Sequence, residues 1–295
     1  MKNIIIGIDI SSQTLDICIK NDSLTHLSID NSLTAIRIFF KKYSSENVIV
    51  AMENTGRYNW NLYEVLKSTS FKVFVIPPLH LKKSLGITRG KNDKIDAYRI
   101  CSFIEKHHLE TIQWQPCPES IKKIKILLTD RRSRIKMINA LKRQQLDYKL
   151  MKGTGLDKEL IKLNKSLIKN IQNQILILEK ELELVVSQDS KLNEQARLIQ
   201  SVPGAGKVTT WMILAKTSGF TTITEPRKMA CYSGVVPFDF QSGSSIFKKP
   251  RVSTLADKSM KSVLHLAAMS AIRLDNDLSY YYHRKVAEGK NKMSF

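Results

Sequence analysis

The chain has 295 residues, with 47 Lys and Arg against 27 Asp and Glu and a formal net charge of +20 at neutral pH. Its 42% hydrophobic and 25% charged side chains describe an ordinary globular protein, and neither an apolar run of membrane-spanning length nor a signal-peptide pattern at MKNIIIGIDIS is present. Four scattered cysteines (Cys18, Cys101, Cys117, Cys231) form no C-x-x-C pair and the six histidines no H-E-x-x-H, which argues against a Cys/His zinc site, and the size argues against a secreted disulfide scaffold, so a soluble protein of a reducing compartment with a polyanionic partner is expected.

Two β-rich runs, 3–10 (NIIIGIDI) and 14–19 (TLDICI), flank Ser11-Ser12-Gln13 and read as a hairpin. A helix fits 32–43, a buried strand VIVAMENTG (48–56), a helix 59–69 and a strand 72–76 stopped by Pro77-Pro78. That order suggests an α/β domain with a mixed sheet. A basic, Gly-containing loop is expected around 80–92, and then a helix capped by Asn92 and running to about His107.

Residues 119–150 and 156–186 read as two long helices joined by Lys152-Gly153-Thr154-Gly155. Apolar residues from Leu156 through Leu163, Leu167, Ile171 and Leu182 to Val185 recur about every 3.6 positions, which suits an antiparallel hairpin burying the stripe or a joint between two copies. Gly206-Lys207 is no P-loop, because Ser201 and Val208 stand where Gly and Ser or Thr are needed. SVPGAGKVTT (201–210) fits better as the Gly-rich turn of a helix-hairpin-helix, with Gly204, Gly206 and Lys207 facing a phosphate. A polar YSGVVPFDFQSGSS (232–245), a basic KKPRVSTLADKSMK (248–261) and an apolar helix (263–272) follow.

Asp9 lies inside an apolar strand, on the face shared with Gly7, where an unpaired carboxylate is costly. Glu53 ends a second apolar strand, and Asp93 and Asp96 share the first turn of a helix. Convergence of these three elements would give four hard oxygen ligands suited to one or two Mg²⁺ ions and to phosphodiester displacement. Each residue also has a structural reading: the helix carboxylates favour an N-terminus wherever it lies, and Glu53 could pair with a lysine. Asp16, Asp22 and Asp30 read as turn or edge residues.

GIDIS (7–11), AMENTG (51–56) and KNDKIDA (91–97) resemble the RNase H/RuvC-like domain of DEDD-type insertion-sequence transposases, and SVPGAGKVTT, YSGVVPFDFQSGSS and Ala256-Asp257-Lys258 resemble that family's second domain. The family is the insertion-sequence family numbered one hundred and ten, the bridge-RNA-guided recombinases. The resemblance implies three parts: a RuvC-like domain at 1–118, a helical coiled-coil assembly segment at 119–195 and a small, mostly α-helical domain at 196–295. It implies a metal-binding tetrad of Asp9, Glu53, Asp93 and Asp96, with Mg²⁺ as cofactor. Ser242 matches the serine that attacks DNA through a 5′-phosphoserine link; read from the residues, Ser244 and Ser245 are alternatives and all three suit a polar turn. Donor and target DNA, a structured bridge RNA, a homodimer or homotetramer, no membrane, and a prokaryotic cytoplasmic, nucleoid-associated location are further implications. So is a basic, apolar continuation after 280–293, where this sequence ends at Phe295.

The charge agrees with such a division. Residues 1–118 carry a net of +4, whereas 119–200 and 201–295 carry +8 each. Nucleic-acid contacts are expected at Lys91, at Arg131, Arg132 and Arg134, at Gly204, Gly206 and Lys207, and at Lys248, Lys249 and Arg251. Three rivals remain at this stage: a metal-dependent nuclease such as a junction resolvase that uses water, an actin/sugar-kinase-like ATPase suggested by GIDISSQTLDI, and a non-catalytic nucleic-acid-binding protein.

Overall fold

The computed structural model describes residues 3–84, 92–242 and 246–292, which divide into two compact units, 1–116 and 117–295. In the first, β1 (Ile4–Ile10), β2 (Thr14–Lys20) and β3 (Leu24–Asp30) form an antiparallel meander, followed by α1 (Leu33–Lys41), β4 (Val48–Glu53), α2 (Trp60–Leu66), β5 (Lys72–Ile76), α3 (Pro78–Ser84) and α4 (Asp93–His107). The sheet order is β3-β2-β1-β4-β5, with β4 parallel to both β1 and β5. The expected mixed sheet is present, and β3 is an addition that its polar, exposed sequence concealed. The basic loop expected at 80–92 is corrected in part: Pro78 opens a short helix to Ser84, a position where the missing N–H of proline costs nothing.

β1 lies at the centre of the sheet and is covered on both faces, which is why its sequence is almost continuously apolar. Ile4, Ile6, Ile8 and Ile10 pack with Ile36, Phe39 and Phe40 of α1 and with Leu62 and Leu66 of α2. Ile5, on the opposite face, packs with Cys18, Ala51, Ala97, Ile100, Cys101 and Ile104, so that face belongs to α4. Between them Gly7 decides how close the helix can come. A Cβ there would lie 2.7 Å from Cys101 Cβ and inside the backbone of Ala97 and Cys101.

The second unit begins with α5 (Glu119–Leu150) and α6 (Asp157–Gln188), each 32 residues and so about 48 Å long. Then come α7 (Ser190–Gln200), α8 (Lys207–Thr217), α9 (Pro226–Tyr232), the antiparallel strands β6 (Phe238–Ser242) and β7 (Ile246–Arg251), α10 (Lys258–Ala271) and α11 (Asp277–Ala287). The β6–β7 pair and α11 lie in segments that sequence periodicity left unassigned. Gly155 turns the chain between α5 and α6 with φ of +71°, which glycine adopts without strain.

The apolar stripe of α6 is buried at only one end. Leu182, Val185 and Val186 join Ile121 and Ile124 of α5, Leu192 of α7, and Trp211 and Leu214 of α8 in one core. Toward the turn, Leu156, Leu163 and Leu167 remain 63%, 54% and 52% exposed, so the hairpin alone buries only part of the stripe. In that half of the hairpin Ile138, Ile168 and Asn164 are buried, and the Asn164 amide donates to Gln144 Oε1 at 3.0 Å. None of the described helices is long and apolar enough to cross a membrane, and the four cysteines are free thiols.

Candidate functional site

Three elements carry the four carboxylates. Asp9 is the one half-buried residue of β1, next to the helix-facing Gly7 in alternation, and its Oδ1 accepts the Ile10 N–H at 3.1 Å. Glu53 closes β4, one step beyond the Ile8–Met52 pair of the parallel register, so strand pairing brings it beside Asp9. The turn after it is held by the fully buried Asn59, which donates to the Glu53 carbonyl at 2.9 Å and accepts from the N–H and hydroxyl of Thr55. Asp93 and Asp96 occupy the first turn of α4, behind the Asn92 cap that accepts from Lys94 N at 3.1 Å.

Electrostatics joins these groups. The Asp9 carboxyl is pushed up to about 6, first by burial and next by the negative charge of Asp96; the Ile10 N–H opposes the shift, and Asp93 and Glu53 add to it. A carboxylate held among three others is the environment that a divalent cation relieves, and an all-carboxylate donor set suits Mg²⁺. The residues fit such an ion in charge and chemistry. Among the described residues no three Asp, Glu, His or Cys side chains are drawn together tightly enough to hold one, and Asp96 turns one oxygen to Arg99 at 2.8 Å.

Three neighbours of the tetrad were read incompletely from the sequence. Asp16, read as a turn or edge residue, is the cross-strand partner of Asp9 and so lies on the same face of the sheet. Arg99 was signalled only by its i+3 spacing from Asp96. Gly7 was noticed for sharing a face with Asp9, but its role depends on α4, whose docking no local pattern reveals.

Ser242 is the last residue of β6 and pairs with Ile246; Ser244 and Ser245 lie outside the described residues, as does Lys91. The expected phosphate contacts divide. Arg131 is engaged within the hairpin, its guanidinium 2.7 Å from Glu179 of α6, and Arg134 pairs with Asp130 and with Gln174 at 3.1 Å, whereas Arg132 is exposed. Gly204, with φ of +82°, abuts α10, where a Cβ would lie 2.8 Å from Ala271 N and inside the Ala267 carbonyl, so its lack of a side chain serves packing within the unit. Gly206 precedes α8 in open space, and Lys207 pairs with Glu183 at 2.6 Å. Lys249 and Arg251 are exposed on β7, which also carries Lys248.

A mixed sheet in this order, with acidic groups at two strand ends and at the start of the facing helix, is consistent with the RNase H-like class of nucleic-acid-processing folds. The comparisons narrow this. Residues 6–150 match the family model described as Transposase for DEDD transposases of IS110 elements, and residues 196–283 match the one described as Transposase IS116/IS110/IS902 family. The chain belongs to the IS110 family of transposases. Its relatives include the Pilin gene-inverting protein of Moraxella bovis, 26% identical over 278 residues that cover 91% of this chain and 83% of that one. Another is the Transposase for insertion sequence element IS1111A of Coxiella burnetii, 23% identical over 268 residues, covering 83% and 71%. Among solved structures, Thermus thermophilus RuvC aligns over 38% of this chain and 99% of its own, with 13% identity and a TM-score of 0.28.

Proposed function

We propose that this transposase cuts and exchanges DNA strands with Ser242 as nucleophile and with Asp9, Glu53, Asp93 and Asp96 as the holders of one or two Mg²⁺ ions. The observation that carries the reading is the electrostatic convergence on Asp9: burial together with the charges of Asp96, Asp93 and Glu53 raises its carboxyl, as expected of a tetrad built around a cation. When bound, the ions neutralise the phosphate and lower the pKa of an attacking hydroxyl. The residues do the rest. Serine Oγ bonds to phosphorus as the bond to the 3′ oxygen breaks; the hydroxyl gives up its proton and the 3′ oxygen takes one, leaving a 5′-phosphoserine and a free 3′-OH. A 3′-OH from the other duplex then reverses the step, so the phosphodiester is conserved without an external energy source. The relative named for inverting a pilin gene supports strand exchange.

The same reading includes a structured RNA that pairs with donor and target DNA, and assembly of two or four copies through 119–195. The exposed Leu163 and Leu167 of α6, with Leu156 just before it and Leu146 and Leu150 of α5, support self-association, because exposed leucines near one end of the hairpin are otherwise left in water. The test incubates the protein and its co-purified RNA with Mg²⁺ and a plasmid carrying the insertion sequence and its flanks. A denaturation-resistant protein–DNA adduct is expected, and Ser242→Ala abolishes it. Retention of the adduct in that variant removes Ser242 from the mechanism. Cleavage without any adduct in the unaltered protein makes water the nucleophile. Sequencing of the co-purified RNA is expected to return one discrete structured transcript.

A further inference from the structure

The strands that carry Ser242 lie on an excursion, residues 233–256, whose two ends are fastened to each other. Tyr232 ends α9 and Asp257 caps α10, and they meet twice. The Asp257 N–H donates to the Tyr232 carbonyl at 2.8 Å, and the Tyr232 hydroxyl donates to Asp257 Oδ2 at 3.0 Å. Just inside, Gly234 (φ +64°) abuts the far end of the excursion, where a Cβ would lie 2.6 Å from Ala256 Cβ. Lys216 of α8 reaches the same Oδ2 at 2.7 Å.

The two carboxylate oxygens divide their work. Oδ1 accepts from Met260 N at 2.9 Å and from the Ser259 hydroxyl, which completes the cap of α10. Capping therefore needs neither Tyr232 nor Lys216. Among the described residues, Oδ2 serves the closure of the excursion and its attachment to α8. A polar network of this kind fixes an angle as well as contributing stability, because each bond has a preferred direction.

We infer that Asp257, with Tyr232 and Lys216, positions the β6–β7 pair so that Ser242 is presented at one angle to the DNA; this rests on the reading of Ser242 as the nucleophile. The lever is long enough to matter. A five-residue strand spans about 17 Å, so a tilt of about 10° at its base moves its end by about 3 Å. A misplacement of about 1 Å can already cost about a hundredfold in rate. The Ala256-Asp257-Lys258 motif thereby acquires a role in its central residue.

Two variants separate the closure from the cap. Tyr232→Phe removes only the hydroxyl, and Asp257→Asn removes the charge that holds Lys216. Hydrogen exchange of the full-length chain is expected to show the amides of 238–242 and 246–251 exchanging about tenfold faster in Asp257→Asn and about threefold faster in Tyr232→Phe, with α5 and α6 unchanged. Adduct formation on the insertion-sequence plasmid falls by comparable factors at saturating DNA, while the half-saturating DNA concentration stays the same. Leu182→Ala, in the core of the same unit, supplies a loss of stability without either effect. Unchanged strand exchange rates in both variants overturn the inference, as does an equal loss in Leu182→Ala. If Ser242→Ala keeps its adduct, the nucleophile reading fails, while the hydrogen-exchange result still decides the closure.

Discussion

Asp9 stands in a strand covered on both faces, and its distance from Asp93 and Asp96 follows from the packing of α4 on Gly7. Ser242 stands at the end of a two-stranded excursion whose base is closed by directional polar bonds at Asp257. One group is placed by volume, the other by hydrogen bonds, within units that each have their own core. Placement by volume is stiff and fails abruptly when atoms overlap. Placement by polar bonds tolerates substitution but loses orientation by degrees.

The largest expected effect tests whether the volume-placed group is chemical. Asp9→Asn keeps the shape and removes the charge; strand cleavage is expected to fall at least about a thousandfold, the scale for loss of a metal-holding or electrostatic group. Thermal unfolding should show the fold intact. Retained cleavage would confine Asp9 to a structural role.

Gly7→Ala comes next and asks whether close packing sets the site. The added methyl meets backbone atoms of α4, which cannot rotate away, so about 1–3 kcal/mol or more of stability is expected to be lost. The shift of melting temperature produced by Mg²⁺ should shrink as well. Ile36→Val, on the other side of the sheet, should cost about 0.5–1.5 kcal/mol and leave that Mg²⁺ shift unchanged.

Acid and base distinguish the two regions by opposite signs. Ionising Asp9 is harder in the fold than in the unfolded chain, so its contribution is present below an ordinary carboxyl pKa of 3.8 and is lost as pH rises through about 6. Melting of the protein free of divalent ions should therefore drop by a few degrees between pH 5 and 7.5, and Asp9→Asn should abolish the drop. For Asp257, burial alone would raise the carboxyl, but the bonds from Lys216, Ser259 and Met260 N outweigh it and hold the group well below the usual range. Its contribution is present above 3.8 and is lost as pH falls further. Asp257→Asn should flatten the acid limb of the stability profile.

The smallest effect belongs to Lys207, whose partner Glu183 is exposed. Removing that pair with Lys207→Ala should change stability by less than about 1 kcal/mol. If Lys207 also meets phosphate, DNA affinity should fall and its salt dependence weaken by about one counterion.

The two regions also differed in how far the sequence revealed them. IIIGIDI and VIVAME announce buried strands, Asn92 announces the helix that follows, and the carboxylates stand where those elements end; each signal is local. The close packing of Gly204 on α10 was not legible, because a Gly-x-Gly turn reads alike whatever element passes beside it. Along α6 a period of 3.6 marks an apolar face without saying whether this chain covers it. The β6–β7 pair went unseen because FDFQS alternates over only four residues between polar neighbours, and IFKKPR breaks alternation with two lysines and a proline. The closure at Tyr232 and Asp257 joins residues 25 apart in sequence, beyond the reach of any periodicity.

The buried amide of Asn164 makes the long hairpin a ruler. Sliding α6 along α5 by one turn, about 5.4 Å, would separate it from Gln144 and strand an unpaired polar group at a cost of about 1–3 kcal/mol. A purely leucine seam would accept such a slip at little cost, since one apolar layer resembles the next. With the amide pair in place, the span from the core at Leu182 to the turn at Gly155 has one length, and the tip of the hairpin is held at one reach from its base.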